Sequence, residues 1–172
     1  VSDDGKIVVP LLGGHHGANR LARDIADALH GTAAVTTAGD VALGVSLDEP
    51  PLGYRLQTPE NAKSVMATLL SGRGVTWDGT PIFDADLPAG NDVELCVTES
   101  PEQGNDTRLV YHPQRFTLGL GCARNADPAD LWVLVERTLK ANNIAHGAIA
   151  CVASIDLKAD EPAILQAAQK LG

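Results

Sequence analysis

Apolar positions along this chain gather into short runs near both ends and thinner stripes between them. The run Ile7 to Leu12 stops at Gly13-Gly14-His15-His16-Gly17. An apolar run halted by glycine reads as a strand entering a loop. Beyond it Leu21, Ala22, Ile25, Ala26 and Leu29 recur at helical spacing, with Arg20, Arg23, Asp24 and Asp27 opposite. Gly31 is placed to end that helix as a left-handed cap. Ala33–Thr37 then reads as a second strand, running into Thr36-Thr37-Ala38-Gly39-Asp40. A right-handed βαβ crossover brings both strand ends to one sheet edge. His15, His16, Thr36, Thr37 and Asp40 are therefore expected to share a crevice.

The pattern weakens from Val41 to about Pro113. Glu49-Pro50-Pro51-Leu52-Gly53 reads as a break. Thr58-Pro59-Glu60 reads as a helix start, with Thr58 as N-cap and Pro59 in the first helical position. Val65, Met66, Leu69 and Leu70 supply that helix's apolar stripe and Gly72 its end. Val75–Trp77 with Asp78-Gly79 predicts a short strand and turn. Val93–Thr98 and Arg108–His112 are strand-like, separated by a polar loop.

From Phe116 the α/β rhythm returns. Phe116–Leu120 predicts a strand running into Gly121-Cys122-Ala123-Arg124. Asp127 caps a helix whose buried side is Leu131, Leu134, Val135, Thr138 and Leu139. Ala148–Ala153 predicts a buried strand, and Ala163–Leu171 a final helix. The two strand ends again meet on one edge, which brings Cys122 and Arg124 near Ser154, Asp156 and Lys158. The fold class that follows is α/β: two incomplete parallel βαβ-type domains, residues 1–40 and 114–172, joined by a small α+β region over residues 41–113.

Composition narrows the chemistry. The chain has 172 residues, 44% of them hydrophobic, 3% aromatic and 20% charged, with a net charge of −9. Such an acidic balance disfavours nucleic acid and anionic membranes as partners, because both are met by clustered Lys and Arg. An anionic ligand would have to be met locally, by oriented amides and a few cations. No apolar run approaches the roughly 20 residues of a membrane span. Cys96, Cys122 and Cys151 form an odd set without a CxxC pair, which suits reduced thiols in a cytoplasmic protein, buried by default. His30, His112 and His146 have no metal-ligand spacing with any partner, and no metal site is expected.

The candidate chemistry sits at the strand ends. Amides of Gly13, Gly14 and Gly17 at a helix N-terminus suit an oxyanion, and His15 or His16 suits a general base near neutral pH. Asn19 is either a ligand contact or, more simply, the N-cap of the following helix. Thr36, Thr37 and Asp40 either contact a ligand or tie down their own loop. Cys122 reads as a small buried hydrophobe unless an activating base lies near it. Asp156, Lys158 and Glu161 either reach a ligand or form an ion-pair network capping the last helix.

Two motifs carry a resemblance. Pro10-Leu11-Leu12-Gly13-Gly14-His15-His16-Gly17-Ala18-Asn19, with Thr36-Thr37-Ala38-Gly39-Asp40 after it, resembles the N-terminal domain of the cobalt-precorrin-5A hydrolase (CbiG) family of cobalamin biosynthesis. Gly119-Leu120-Gly121-Cys122-Ala123-Arg124, with Ser154-Ile155-Asp156-Leu157-Lys158-Ala159-Asp160-Glu161-Pro162 after it, resembles that family's C-terminal domain, which also occurs alone as the CobE-type protein. The resemblance implies hydrolytic opening of a δ-lactone on a cobalt-precorrin with release of acetaldehyde. It implies a corrin intermediate as ligand, cobalt carried by the substrate, and no cofactor of the protein's own. His15 and His16 would then be catalytic. Gly13, Gly14, Gly17, Asn19, Thr36, Thr37, Asp40, Cys122, Arg124, Ser154, Asp156, Lys158 and Glu161 would bind substrate. The alternative is a non-catalytic precorrin carrier, working beside or fused to a precorrin-3B C-methyltransferase. The family's first domain begins upstream of Val1 and its last runs past Gly172, so the chain reads as cut at both ends. Sheet edges bared by such a cut predict aggregation or partnering, and the oligomeric state is left open.

Overall fold

Strands and helices are mixed along the chain in a computed structural model that describes residues 1–11, 17–35 and 42–172. The elements are β1 (Ile7–Val8), α1 (Ala18–Ala28), β2 (Thr32–Ala33), β3 (Tyr54–Leu56), α2 (Ala62–Leu70), β4 (Val75–Asp78), β5 (Val93–Val97), β6 (Arg108–Pro113), β7 (Phe116–Gly119), α3 (Pro128–Ala141), β8 (Ile149–Ala153) and α4 (Pro162–Leu171). Among the described residues they build three sheets: a parallel pair β1-β2, a four-stranded sheet in the order β3-β6-β5-β4, and a parallel pair β7-β8. The architecture is mixed α/β with parallel strands in every sheet, β3 alone running antiparallel to its neighbour β6.

In the first unit α1 packs Ala22 and Ala26 against Val8, with Ile25 and Ala33 beside them. The helix presents small residues to the sheet, so its buried stripe is narrower than the pattern of large residues suggested. Leu21 and Leu29 lie exposed, and Asn19 takes a buried position instead. The left-handed residue at its end is His30, at φ 53, and not Gly31. Gly31 is required for another reason: a Cβ there would lie 2.7 Å from the Lys6 carbonyl oxygen. That approach belongs to the ladder joining β1 and β2, where the Thr32 N–H donates to Lys6.

The middle region is more than a connector, because it holds the four-stranded sheet and the largest apolar cluster. Side chains alternate across a strand, and here the register sends Val75, Val93, Leu95, Leu109 and Tyr111 into a core with Leu47, Leu56, Val65 and Leu69. The buried Tyr111 hydroxyl donates to the Leu47 carbonyl at 2.8 Å, and its ring meets Phe83 edge-on at 5.5 Å. The opposite face carries Asp78, Glu94, Cys96, Arg108, Val110 and His112. Thr58 does not cap α2. Residues Pro59–Asn61 form a 3-10 turn, and the Thr58 hydroxyl oxygen accepts a bond from the Asn61 amide at 3.0 Å.

In the last unit α3 and α4 cover one face of β7-β8. Val135, Leu139, Ile149 and Leu171 form one cluster, and Leu131, Ala163 and Ile164 a second. The Asp127 carboxylate caps α3 by accepting from the Ala129 N–H at 2.8 Å. Leu134 is exposed, and β8 is not a buried strand: only Ile149 is fully enclosed. The free face presents Thr117, Gly119, Cys151 and Ala153, so Cys151 is exposed while Cys96 is buried.

The last unit meets the back of the middle sheet at His112. Gly147 sits so close that a Cβ there would lie 2.6 Å from the His112 ring. Around that contact the Ala145 N–H donates to Glu99 at 2.7 Å and the Arg115 N–H to Ala148 at 3.0 Å. The Asn143 amide reaches Ser100 at 2.9 Å. Arg55 of β3 donates to the last carbonyls of α4, at Leu171 and Gly172, where a cation complements the helix dipole.

Candidate functional site

The best-defined cluster of charged groups lies at the carboxyl edge of β7-β8. Gly119 stands opposite Ala153 in the parallel register, so the following loops leave the same edge. The Leu120 N–H extends the ladder to Ala153 at 2.9 Å. The Ser154 hydroxyl donates back to the Leu120 carbonyl at 2.8 Å and ties the two loops together. Arg124 closes the arrangement from above. Its guanidinium donates to Asp160 at 2.6 Å and to the Leu157 carbonyl at 2.6 Å. The hydrogen bond and charge of Arg124 hold the Asp160 carboxyl below its ordinary range, and Asp160 raises Arg124 in return.

Glu161 lies beneath this lid, in the residue before α4. It is 1% exposed, and one of its oxygens lies 3.5 Å from the Lys158 ammonium and 3.9 Å from Arg124. Among the described residues neither carboxylate oxygen has a hydrogen-bond partner. Lys158 ends the 3-10 turn Asp156–Lys158, and its side chain is mostly enclosed. Asp156 begins that turn and is exposed. Cys122 is half-buried against Leu131, Ala163 and Ile164. Chemically the edge gathers two cations, Arg124 and Lys158, with two carboxylates, the exposed Asp160 and the buried Glu161, a network in which an incoming carboxylate or phosphate can exchange with Asp160.

At the other end of the chain, Gly13, Gly14, His15, His16, Thr36, Thr37 and Asp40 lie outside the described residues. Gly17 precedes α1 at φ 84, a conformation that favours glycine. Its N–H donates to the Glu49 carboxylate at 3.0 Å. Asn19 is not the cap; it is buried within the first turn of α1. A cleft of about 250 Å³ runs beside this contact, between α1 and the proline-rich break, and is lined in part by Arg20, Arg23, Ser46, Glu49 and Phe83. The anion facing the N-terminus of α1 is thus the chain's own Glu49. Nothing in the residue pattern marked Glu49, since it sits in an aperiodic break far along the chain from Gly17.

In the middle sheet Asp78, Glu94 and Cys96 bring ligand-type atoms within 4.8 Å of one another. Arg108 already sits among them, 3.0 Å from Glu94 and 3.7 Å from Asp78, and pairs with Glu102 as well. Burial pushes the Cys96 thiol up to about 12. A guanidinium in contact with the carboxylates and a protonated thiol make this an ion-pair cluster that ties β4, β5 and β6 together. A second cleft, of about 520 Å³, is lined by Leu43, Leu69, Leu70, Asp86 and Leu87 among others.

Parallel strands that end together in loops bearing glycine and charge define an α/β protein. The chain belongs to the cobalamin synthesis G family. Residues 1–40 match the model described as cobalamin synthesis G N-terminal, and residues 116–172 match cobalamin synthesis G C-terminus. It is 26% identical to a cobalt-precorrin-5A hydrolase of Priestia megaterium over its full length and 31% identical to one of Salmonella typhimurium over 98% of it, covering 54% of each relative. Over 54 residues, 31% of the chain and 35% of the relative, it is 48% identical to the protein CobE of a Sinorhizobium species. The chain therefore spans about half the length of the two hydrolases it resembles. Among the described residues no helix is long and apolar enough to cross a membrane.

Proposed function

We propose that this chain carries part of a cobalt-precorrin-5A hydrolase, opening the δ-lactone of a cobalt-bearing corrin precursor with release of acetaldehyde. The observation that carries the reading is likeness to two proteins of that name along essentially the whole chain, at 26% and 31% identity. The cation pair at the β7-β8 edge supports it, because corrin precursors are ringed by acetate and propionate groups that Arg124 and Lys158 suit.

Lactone opening requires a water activated by a base and donors for the oxyanion that forms on the carbonyl. His15 fits the base, with His16 beside it. The amides of Gly13, Gly14 and Gly17 fit the oxyanion, and Gly17 becomes available once Glu49 yields its N–H. The later carbon–carbon cleavage needs a base for the hydroxyl proton and a cation near the developing carbanion. In this reading Thr36, Thr37, Asp40, Ser154 and Asp156 line the substrate's path, and the buried Asn19 and half-buried Cys122 pack behind it. Cobalt enters with the substrate, and a precorrin methyltransferase is the enzyme class that would work next to this one.

The test is direct. The intact protein is incubated with the lactone and acetaldehyde is measured. Release that disappears in His15→Ala supports the hydrolase. Tight binding of the lactone without release overturns it and leaves a precorrin carrier.

A further inference from the structure

Two glycines at the β7-β8 edge have no reason within the fold. Gly119 closes β7 and Gly121 follows in the loop. Neither has a positive φ, and a Cβ built on either meets nothing within 4 Å. Other glycines here have an internal cause. Gly79 has φ 98 and would put a Cβ 2.6 Å from the Val97 carbonyl oxygen, and Gly147 abuts His112. Glycine weakens a strand, so a strand glycine with no internal cause points to something outside the fold coming close to the backbone.

A second observation lies beside them. Glu161 is buried with ion pairs to Lys158 and Arg124 but, among the described residues, no hydrogen bond to either oxygen, an arrangement that costs free energy unless it serves another purpose. Lys158 and Arg124 converge on the same oxygen, Oε2. Arg124 is fixed by Asp160 and the Leu157 carbonyl, so Glu161 is the group that couples Lys158 to it. The Lys158 ammonium donates no hydrogen bond among the described residues. It is thus held by its ion pair to Glu161, with its side chain mostly enclosed.

We propose that Gly119, Gly121, Arg124 and Lys158 form a carboxylate-binding floor, with Glu161 as the positioning residue that holds the two cations together. Bare backbone at the glycines lets a flat polycarboxylate lie against the sheet edge while the cations take its carboxylates. The proposal rests on the hydrolase reading for its choice of a tetrapyrrole as the ligand ring.

The test titrates the intact protein with uroporphyrin III, a stable tetrapyrrole with carboxylates on every pyrrole, and separately with citrate. Gly119→Val and Gly121→Ala are expected to melt no lower than the wild type. Their uroporphyrin affinity falls by about tenfold or more, while citrate, small enough to pass the new side chains, binds as before. Lys158→Met weakens both ligands. Glu161→Gln weakens both in the wild-type background and adds nothing to Lys158→Met, which a merely structural role for Glu161 would not produce. Wild-type uroporphyrin affinity in the glycine variants, a drop of several degrees in their melting temperature, or additive effects of Glu161→Gln and Lys158→Met overturn the proposal. Absence of binding of either probe to the wild type does the same. The hydrolase reading fails separately, on acetaldehyde, and can fail with this floor intact.

Discussion

Gly147→Ala is expected to loosen the joint between the last unit and the middle sheet. The added Cβ would lie 2.6 Å from His112 Cδ2 and 3.1 Å from its Cβ and Cγ, well inside carbon–carbon contact distance. The ring cannot easily retreat. His112 is 2% exposed, and its Nδ1 is 2.8 Å from the Thr98 carbonyl. Either the imidazole leaves that bond or the turn at His146–Ala148 lifts and strains the neighbouring bonds from Ala145 and Arg115. Overpacking of this kind costs about 1–3 kcal/mol, which in a chain of this size lowers the melting temperature by roughly 2–4 °C per kcal/mol. The assay is urea unfolding of the wild type, Gly147→Ala, His112→Ala and the double variant. If the clash is the cause, removing the ring removes most of the penalty, so the double variant is little worse than His112→Ala alone. A stability equal to the wild type in Gly147→Ala, or a penalty undiminished in the His112→Ala background, refutes the reasoning.

Three further outcomes follow from the same geometry. Burial holds the His112 imidazole below its ordinary 6.5, so the unfolded chain binds the proton first. Its contribution is therefore whole above about pH 6.5 and is lost as pH falls below that through the folded value. The urea midpoint should drop between about pH 7 and pH 5 more steeply in the wild type than in His112→Gln. Tyr111→Phe removes a buried bond and leaves the Leu47 carbonyl unsatisfied, a loss of about 1–2 kcal/mol read from the same denaturation curves. Cys96, enclosed and pushed up to about 12, should stay unmodified by iodoacetamide at pH 8 in the folded protein and react on unfolding. Cys151, which is exposed, should be alkylated first, as mapped by peptide mass.

The βαβ plan at each end was legible because it is local. A run of β-forming apolar residues, a glycine break and an amphipathic helix each declare themselves within a dozen positions. The pairs β1-β2 and β7-β8 are parallel as that plan requires, and Asp127 caps α3 as its type and position suggest. The middle was harder. Its core side chains are spread over strands that pair across long separations, and β5 joins β6 in parallel without an intervening helix. Alternation within each short strand was visible, but which strands shared a sheet was not. Within the last unit, Arg124, Ser154 and Lys158 were legible as site candidates from their place after parallel strands. That Glu161 lies buried beneath the cations could not be read, because an acidic residue before a helix proline is usually solvated.

By itself the amino-acid sequence determined the α/β class, the helices and strands at both ends, and the motifs that tie the chain to its family. These depend on propensity and periodicity, which act over a few residues. The tertiary structure alone decided that Glu49 faces the N-terminus of α1, that Arg108 fills the acidic cluster on the middle sheet, and that Gly147 admits His112. It also set Gly119 and Gly121 in open space on the edge where Arg124 and Lys158 pair with Asp160 and the buried Glu161. Each of these is a contact, or a gap, between segments far apart in the chain. The excluded volume and charge that govern them are set only when the units pack.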